Sequence, residues 1–243
     1  EILNALKAGV KAGDIAPVFC GSAVNQAGVK LLLDAIVDYV PAFSERGKVT
    51  AKDKSSGETV QLNVSENEAL SALVFKTIVD PFVGRISYIK VMSGVLNSDS
   101  TVYNSKKDKN ERVAQLFLVK GKQQINTDKL VAGDIGAVAK LMVTETNDTL
   151  CTKEKPVILP EIEFPQPMLS MAVVPKTKGD EEKISAGLTK LMDEDPTFKV
   201  ELNSETKQTL IYGIGDQHLD LILSKLRTKF KVDVELSAPR IPY

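Results

Sequence analysis

The strongest constraint on the fold is a succession of short apolar runs between residues 69 and 151. Turn residues such as Gly84, Gly94 and Gly121 separate the runs, and no window keeps a helical period for three turns. Strands this short, about ten residues apart, cannot protect their edges in an open sheet. We therefore predict a small antiparallel β barrel, with strands at residues 73–75, 85–91, 101–103 and 115–119.

The C-terminal part of the chain alternates between strand and helix patterns. We predict strands at 168–174, 198–202, 209–212 and 232–236, and helices at 180–193 and 216–230, with Asp180 as a possible cap of the first helix. The order βαββαβ is typical of a ferredoxin-like sandwich. This fold serves many functions and identifies none by itself.

The first 43 residues follow a third pattern. We predict an amphipathic helix at 1–10, a short buried strand at 16–20 and a helix at 29–40 that stops before Pro41. A strand, a glycine turn and a helix form half of a βαβ unit, whose sheet needs cover on both faces. We therefore expect residues 1–43 to be the remnant of a larger α/β domain, with the chain an internal fragment.

Two stretches separate these parts. Residues 44–67 are polar and glycine-bearing, which predicts a linker with room for a small hairpin. Residues 156–167 contain four prolines, which predicts a connector of limited backbone freedom. Because this connector has few apolar positions, we expect the barrel and the βαββαβ unit to reorient as separate bodies.

Composition excludes several classes of protein. Of the 243 residues, 43% are hydrophobic and 26% are charged, as in soluble globular proteins, and no run is long enough to span a membrane. We predict a cytoplasmic protein with no membrane partner. The net charge of −1 excludes a uniformly basic nucleic-acid domain. Only a local patch, such as Lys106, Lys107, Lys109 and Arg112, could face RNA, and a solvated loop is the simpler alternative.

The residues most often used in catalysis are sparse. Cys20 and Cys151 lack the spacing of a metal site, and we predict two buried thiols. His218 is the one histidine, without a cysteine or a second histidine beside it, so we predict neither a metal site nor a catalytic residue. Gly213 and Gly215 form an incomplete dinucleotide fingerprint, which a strand-to-helix turn explains.

Several motifs resemble a known family. The barrel contains Asp80-Pro81-Phe82-Val83-Gly84-Arg85-Ile86, Ser93-Gly94-Val95-Leu96, Ala132-Gly133-Asp134-Ile135-Gly136-Ala137-Val138 and Asp148-Thr149-Leu150-Cys151. In order and spacing these are similar to the second domain of the elongation factor G family. Two further motifs resemble the third domain of that family: Glu194-Asp195-Pro196-Thr197-Phe198 and Gly213-Ile214-Gly215-Asp216-Gln217-His218-Leu219-Asp220. The last residues, Pro239-Arg240-Ile241-Pro242-Tyr243, resemble the start of its fourth domain.

The resemblance has two departures. The family's usual Glu-Leu before the histidine is Asp216-Gln217 here, and its usual glycine before Asp-Thr-Leu is Asn147. Both suggest a paralogue, and they leave open whether the parent protein drives translocation, recycles ribosomes or protects them. The resemblance implies these domains: 1–43, the end of the GTPase domain; 44–67, a linker; 68–155, the barrel; 156–167, a linker; 168–237, the ferredoxin-like domain; and 238–243, the start of domain IV.

The resemblance also implies a function. The parent protein is expected to bind GTP and Mg²⁺ and to hydrolyse GTP on the ribosome, with rRNA and ribosomal proteins as partners. Gly21, Ser22 and Ala23 match the family's last guanine-recognition motif; without that context they indicate only a turn before a helix. The chain has no glycine-rich loop ending in Lys-Ser/Thr. We therefore expect the fragment to bind no cofactor or metal and to be inactive, with its GTPase domain upstream in cis.

The second helix suggests a contact surface. At 100° per residue, His218, Lys225 and Lys229 share one flank, with Leu221 beside it, while Asp216 and Asp220 lie on the other flank. We predict that these cations are exposed and meet rRNA phosphates or an acidic neighbour such as the GTPase domain. A solvated amphipathic helix is the alternative. For the whole chain, the alternatives are a non-enzymatic RNA- or protein-binding module and a small-molecule enzyme, although the acid-base cluster of an enzyme is missing.

Overall fold

The computed structural model describes residues 1–80, 83–121 and 123–241. The predicted motif residues Pro81, Phe82, Pro242 and Tyr243 lie outside this part of the chain. The chain divides into two compact units, Glu1–Val49 and Thr50–Tyr243, and the second contains both the barrel and the C-terminal βαββαβ domain. Among the described residues, no helix is long and apolar enough to cross a membrane.

The first unit holds the two predicted helices. They are α1, Ile2–Ala12, and α2, Val29–Tyr39, followed by a 3-10 turn at Phe43–Arg46. Helix α1 ends at Gly13, whose φ of 82° is a left-handed conformation that glycine adopts without strain. Lys7 and Asp38 join the two helices through an ion pair of 3.6 Å.

The prediction of a buried strand at residues 16–20 is wrong. This segment, all of which the structure describes, forms no strand, and Val18 and Phe19 are 90% and 47% exposed. The Cys20 thiol is likewise exposed, whereas Cys151 is buried as predicted. A strand of a parallel sheet is stabilised by neighbours on its edges and by helices on both faces. The described residues of this unit supply no neighbouring strand, so the apolar run stays extended and uncovered.

Thirteen strands of the described chain build the barrel region. They are β1 Lys48–Asp53, β2 Thr59–Asn63, β3 Ser71–Asp80, β4 Gly84–Ser93, β5 Val95–Asn97, β6 Ser100–Asn104, β7 Lys109–Val113, β8 Leu116–Lys120, β9 Gln123–Thr127, β10 Lys129–Val131, β11 Ile135–Ala139, β12 Thr149–Cys151 and β13 Val157–Ile158. Eight of them form an antiparallel sheet in the order β7-β6-β12-β3-β4-β11-β8-β9, and β5 pairs with β10. The predicted strands 73–75, 85–91 and 101–103 lie within β3, β4 and β6, and the predicted strand 115–119 overlaps β8.

The barrel encloses an apolar core. Alternate residues of its strands point inward, as the period of two requires, and the core comprises Ala72, Val74, Ile89, Val91, Leu96, Val102, Val113, Leu116, Leu130, Val138, Leu141 and Leu150. Gly94, just before β5, packs closely against the backbone of the segment before β3. A Cβ there would lie 2.7 Å from the Leu70 backbone, at a φ of 72°, so glycine is required at this position.

The stretch predicted as a linker, 44–67, contains β1 and β2. These two strands form a three-stranded sheet with β13, which lies in the predicted proline connector. Ala51 and Val157 are buried in this sheet. The hairpin that the sequence left room for is therefore present, and the first residues of the connector belong to regular structure.

Asn147 stands where the family that the chain resembles usually has glycine. Its side chain is hydrogen-bonded to the connector at Ile162. Its φ of 74° is left-handed, a conformation that asparagine tolerates better than most residues. Its side chain donates to the Ile162 carbonyl and accepts from the Ile162 amide, both at 2.9 Å. Asparagine therefore keeps the turn and adds two hydrogen bonds to the connector that glycine cannot form.

The C-terminal domain has the predicted βαββαβ order. Its elements are β14 Leu169–Pro175, α3 Glu181–Glu194, β15 Lys199–Leu202, β16 Thr209–Gly213, α4 Asp216–Lys225, a π-helical turn Leu226–Phe230, and β17 Val234–Ser237. The antiparallel sheet has the order β15-β16-β14-β17, with its core between the sheet and the two helices. This confirms the ferredoxin-like prediction.

Candidate functional site

The candidate site lies where the C-terminal domain meets the barrel, at the edge of β3. Strand β12 pairs with β3 at the start of that strand alone, at Ser71–Leu73. The β3 backbone beyond Val74 therefore has a second edge that no described strand covers. An uncovered edge exposes unpaired amide and carbonyl groups.

Side chains of the C-terminal domain occupy this edge at Val79. The Val79 amide donates to Glu194 Oε1 at 2.8 Å, and Lys229 Nζ lies 3.5 Å from the Val79 carbonyl oxygen. Lys229 Nζ also donates to Glu194 Oε1 at 2.5 Å. One acidic and one basic side chain thus satisfy the two backbone groups of Val79 and are paired with each other.

Glu194, the last residue of α3, is the centre of this arrangement and only 4% exposed. Lys225 Nζ lies 3.4 Å from its second carboxylate oxygen, and Lys76 of β3 donates to its backbone carbonyl at 3.4 Å. Burial alone would raise the pKa of Glu194, but the hydrogen bonds from Lys229 and the Val79 amide outweigh it. The pKa is held below its ordinary value.

A second ion pair joins the domains beside the first. Arg85 of β4 contacts Asp193 Oδ1 at 2.8 Å and donates to the Thr144 carbonyl at 3.3 Å. Both side chains of this ion pair are partly buried, which favours a stronger interaction than at an open surface. Asp193 and Glu194 together attach the end of α3 to β3 and β4.

Asp195 and His218 bring the two motifs of the C-terminal domain together. His218 Nε2 lies 3.0 Å from Asp195 Oδ2, and His218 Nδ1 accepts from the Ile214 amide at 3.1 Å. Because Nδ1 is the acceptor, Nε2 carries the proton that is donated to Asp195. Burial would raise the pKa of Asp195, but hydrogen bonds from Thr197 and His218 hold it below its ordinary value.

The two glycines before α4 differ in how closely their surroundings pack against them. A Cβ on Gly213 would lie 2.7 Å from Leu219 Cδ2 and 3.0 Å from His218 Nδ1, so a larger residue would displace the histidine. Gly215 has an extended φ of −176° and open space around its Cα. The close packing of the turn therefore explains Gly213 alone, rather than both glycines as predicted from the sequence.

The predicted contact residues are only partly brought together. Lys225 and Lys229 meet at Glu194, whereas His218 is paired with Asp195. Leu221 has no part in this cluster and is 53% exposed. The prediction that Lys225 and Lys229 are exposed is wrong, because both side chains are partly buried against Glu194. The last turn of the predicted helix, which holds Lys229, is π-helical.

Sequence reasoning missed the partners of these lysines. Glu194 lies in a motif singled out for its resemblance, but nothing in the sequence indicated that its side chain is buried against another domain. Val79 contributes only backbone atoms, and no residue pattern can indicate such a contact. Arg85 and Asp193 are 108 positions apart in the chain, beyond the reach of local patterns.

Gly21, Ser22 and Ala23 lie in the first unit, in a tight turn. The Ser22 amide donates to the Ala27 carbonyl at 3.0 Å, and the Asn25 amide donates to Ser22 Oγ at 3.3 Å. The turn lines an open cavity of about 360 Å³, together with apolar side chains such as Phe19 and Leu32. In this arrangement the Ser22 amide is occupied by the turn itself.

The basic tip of the barrel is largely paired with acidic groups. Lys106 contacts Glu161 at 2.8 Å, Lys107 contacts Glu145 at 2.6 Å, and Arg112 lies 3.9 Å from Asp99. The hydrogen bond to Glu145 raises the pKa of Lys107.

Among the described residues, no three His, Cys, Asp or Glu side chains are grouped as metal ligands.

Two family models match the chain in the order that the domains take along it. Residues 69–153 match the model of elongation factor G domain 2, and residues 164–238 match that of elongation factor G, domain III. Together they cover more than half of the chain. The chain belongs to the elongation factor G family. The barrel is its domain II, and the βαββαβ unit is its domain III.

Individual relatives agree with the family models. The chain is 42% identical over all 243 residues to elongation factor G of Chlamydia trachomatis, in strains of serovars D and A, and spans 35% of the length of each. A crystal structure of a protein from Thermus thermophilus matches 99% of this chain and 34% of its own, with a TM-score of 0.80 and 28% identity. The chain thus corresponds to about a third of these relatives.

Proposed function

We propose that this chain is part of a ribosome-dependent translational GTPase that acts in protein synthesis. Its role there would be either ribosomal translocation or ribosome recycling. The observation that carries the proposal is the match of two consecutive elongation factor G domains, with 42% identity to elongation factor G of Chlamydia trachomatis across the whole chain. The parent protein would bind GTP and Mg²⁺ and hydrolyse GTP in the cytoplasm. This segment would supply ribosome binding and coupling between domains, and not the hydrolysis chemistry.

The absence of phosphate-binding motifs from the sequence supports this division of labour. Catalysis of phosphoryl transfer depends on a loop that holds the phosphates and on side chains that bind Mg²⁺. Gly21, Ser22 and Ala23 would contribute to guanine recognition in the parent protein, with Ala23 offering its amide because that of Ser22 is occupied. The GTPase domain in cis would supply the rest of the nucleotide site.

The face of α4 is the proposed contact with rRNA, ribosomal proteins or the GTPase domain. Leu221 is exposed on this helix, and Lys225 and Lys229 are partly accessible. His218 would keep the start of the helix in place through Asp195. An apolar side chain near cations is better suited to docking than to solvation alone.

Ribosome binding by the complete protein tests this proposal. Lys225→Met removes one cation while Glu194 keeps Lys229 as a partner, so the fold is expected to persist. If Lys225 meets a phosphate, the slope of log affinity against log salt concentration falls by about one. Lys231→Met, at an exposed position of the same domain, is the control. An unchanged slope would remove Lys225 from the interface.

The alternative is a non-enzymatic RNA- or protein-binding module built from the same two folds. The coding sequence upstream of Glu1 distinguishes the two. A glycine-rich loop ending in Lys-Ser/Thr would support the GTPase, and an upstream sequence without any nucleotide-binding motif would favour the binding module.

A further inference from the structure

We propose that the ion pair of Glu194 and Lys229 is the docking element that fixes the orientation of domain III on the barrel, by taking the place of a neighbouring strand at Val79. A strand beside β3 would offer one acceptor to the Val79 amide and one donor to the Val79 carbonyl. Glu194 offers the acceptor at 2.8 Å, and Lys229 brings its ammonium group to 3.5 Å from the carbonyl oxygen.

The geometry accounts for the use of two charged side chains. Backbone groups at a sheet edge that is covered by another domain cost free energy unless they are hydrogen-bonded. A lone buried carboxylate would carry a large desolvation cost, which Lys229 at 2.5 Å and Lys225 at 3.4 Å offset. The pair therefore satisfies the edge without leaving an unpaired charge at the junction.

The contacts at Val79 can form in only one orientation of domain III on the barrel. Glu194 ends α3, and Lys229 lies in the π-helical turn after α4, so the two side chains come from separate elements of domain III. Both reach the same residue of β3. A rotation of domain III on the barrel would move one of them away from Val79. The neighbouring pair of Arg85 and Asp193, at 2.8 Å, then restricts rotation about Val79.

This proposal does not rest on ribosome binding or GTP hydrolysis. It bears on the expectation, drawn from the proline connector, that the barrel and domain III reorient as separate bodies, which stays a prediction. Reorientation requires the Val79 contacts to break, because they join β3 to both helical elements of domain III. The docking element would therefore set the balance between a docked and an undocked arrangement.

Two measurements on the 243-residue chain test the proposal. The first is amide hydrogen exchange at Val79, followed by NMR, with the amides of Ile89 and Leu188 reporting the barrel and domain III cores. The second is the distance between spin labels at Lys109→Cys and Glu205→Cys, with Cys20→Ser removing the exposed native thiol. Glu194→Ala and Lys229→Met are the test variants, and Glu182→Gln, exposed on the same helix, is the control.

We expect Glu194→Ala to accelerate exchange at Val79 by about tenfold or more, since a hydrogen bond to a charged acceptor is lost. The label distance is expected to broaden or shift in both test variants, while the Ile89 and Leu188 amides stay protected and Glu182→Gln matches the wild type. Unchanged Val79 exchange and label distance in both variants would overturn the proposal. Equal loss of protection at Val79, Ile89 and Leu188 would also overturn it, because the pair would then stabilise the folds rather than their docking.

Discussion

The Nε2 atom of His218 donates to Asp195 Oδ2 at 3.0 Å, across 23 residues of the chain. This hydrogen bond joins the loop after α3 to the first turn of α4. The Phe198 ring packs edge-on to the imidazole, with ring centroids 6.3 Å apart. A histidine that the sequence shows to be alone therefore has a defined structural role, which is to hold two motif segments together.

Gly213 gives the first prediction. Gly213→Ala places a methyl group against Leu219 and His218, and overpacking of this kind costs about 1–3 kcal/mol of unfolding free energy. Urea denaturation measures the loss. Gly215→Ser is the matched control, because its position is open and serine is favoured at a helix N-cap. A Gly213→Ala variant as stable as the control would contradict the packing argument.

The pKa of Glu194 gives a prediction about acid. Since its pKa in the folded protein lies below the ordinary value of 4.5, the stabilisation is present above that value and is lost as the pH falls through the folded pKa. Glu194→Gln removes this ionisation and should reduce the dependence of stability on pH below about 4.5. Urea denaturation of both proteins at neutral and acid pH measures the difference, and parallel pH profiles would refute it.

Asn147 should restrain the connector between the domains. Asn147→Gly keeps the left-handed turn but removes both hydrogen bonds to Ile162. We expect faster limited proteolysis within residues 156–167, with unfolding free energy changed by no more than about 2 kcal/mol. Asn126→Gly, in β9, is a control for the general effect of glycine. Equal cleavage rates in wild type and Asn147→Gly would show that the connector is held by other contacts.

The isolated chain should not bind GTP tightly. Ser22 and Ala23 can supply at most a small part of a guanine site, and the sequence contains no phosphate-binding loop. Isothermal titration calorimetry with Mg²⁺ present should show no binding at micromolar GTP. Micromolar affinity would mean that the chain has a nucleotide site of its own.

Regular elements were predictable from the sequence, and contacts between elements were not. The helices α1 to α3, the strands of domain III and the βαββαβ order follow from apolar periodicity within short windows. Residues 16–20 show where this fails, because an apolar run indicates a tendency to be buried but not whether neighbours are present to bury it. The contacts of Glu194 could not be predicted for another reason. Their partner is the backbone of a strand 115 residues away in the chain.

The family assignment was predictable because it rests on motifs rather than on contacts. The glycine at 213 and the acid at 195 were both part of those motifs, and each now has a physical reason in the packing around His218. The role of Leu221 as a contact residue stays a prediction, and a binding experiment tests it. The structure shows that Leu221 is exposed but does not identify a partner for it.

GTP hydrolysis by the complete protein, measured with and without ribosomes, shows whether this chain is part of a ribosome-dependent GTPase. We predict a slow intrinsic rate that rises by orders of magnitude when ribosomes are added, and no hydrolysis by the 243-residue chain under either condition. A complete protein that binds ribosomes but hydrolyses no GTP, or one whose GTP hydrolysis is indifferent to ribosomes, would contradict this prediction.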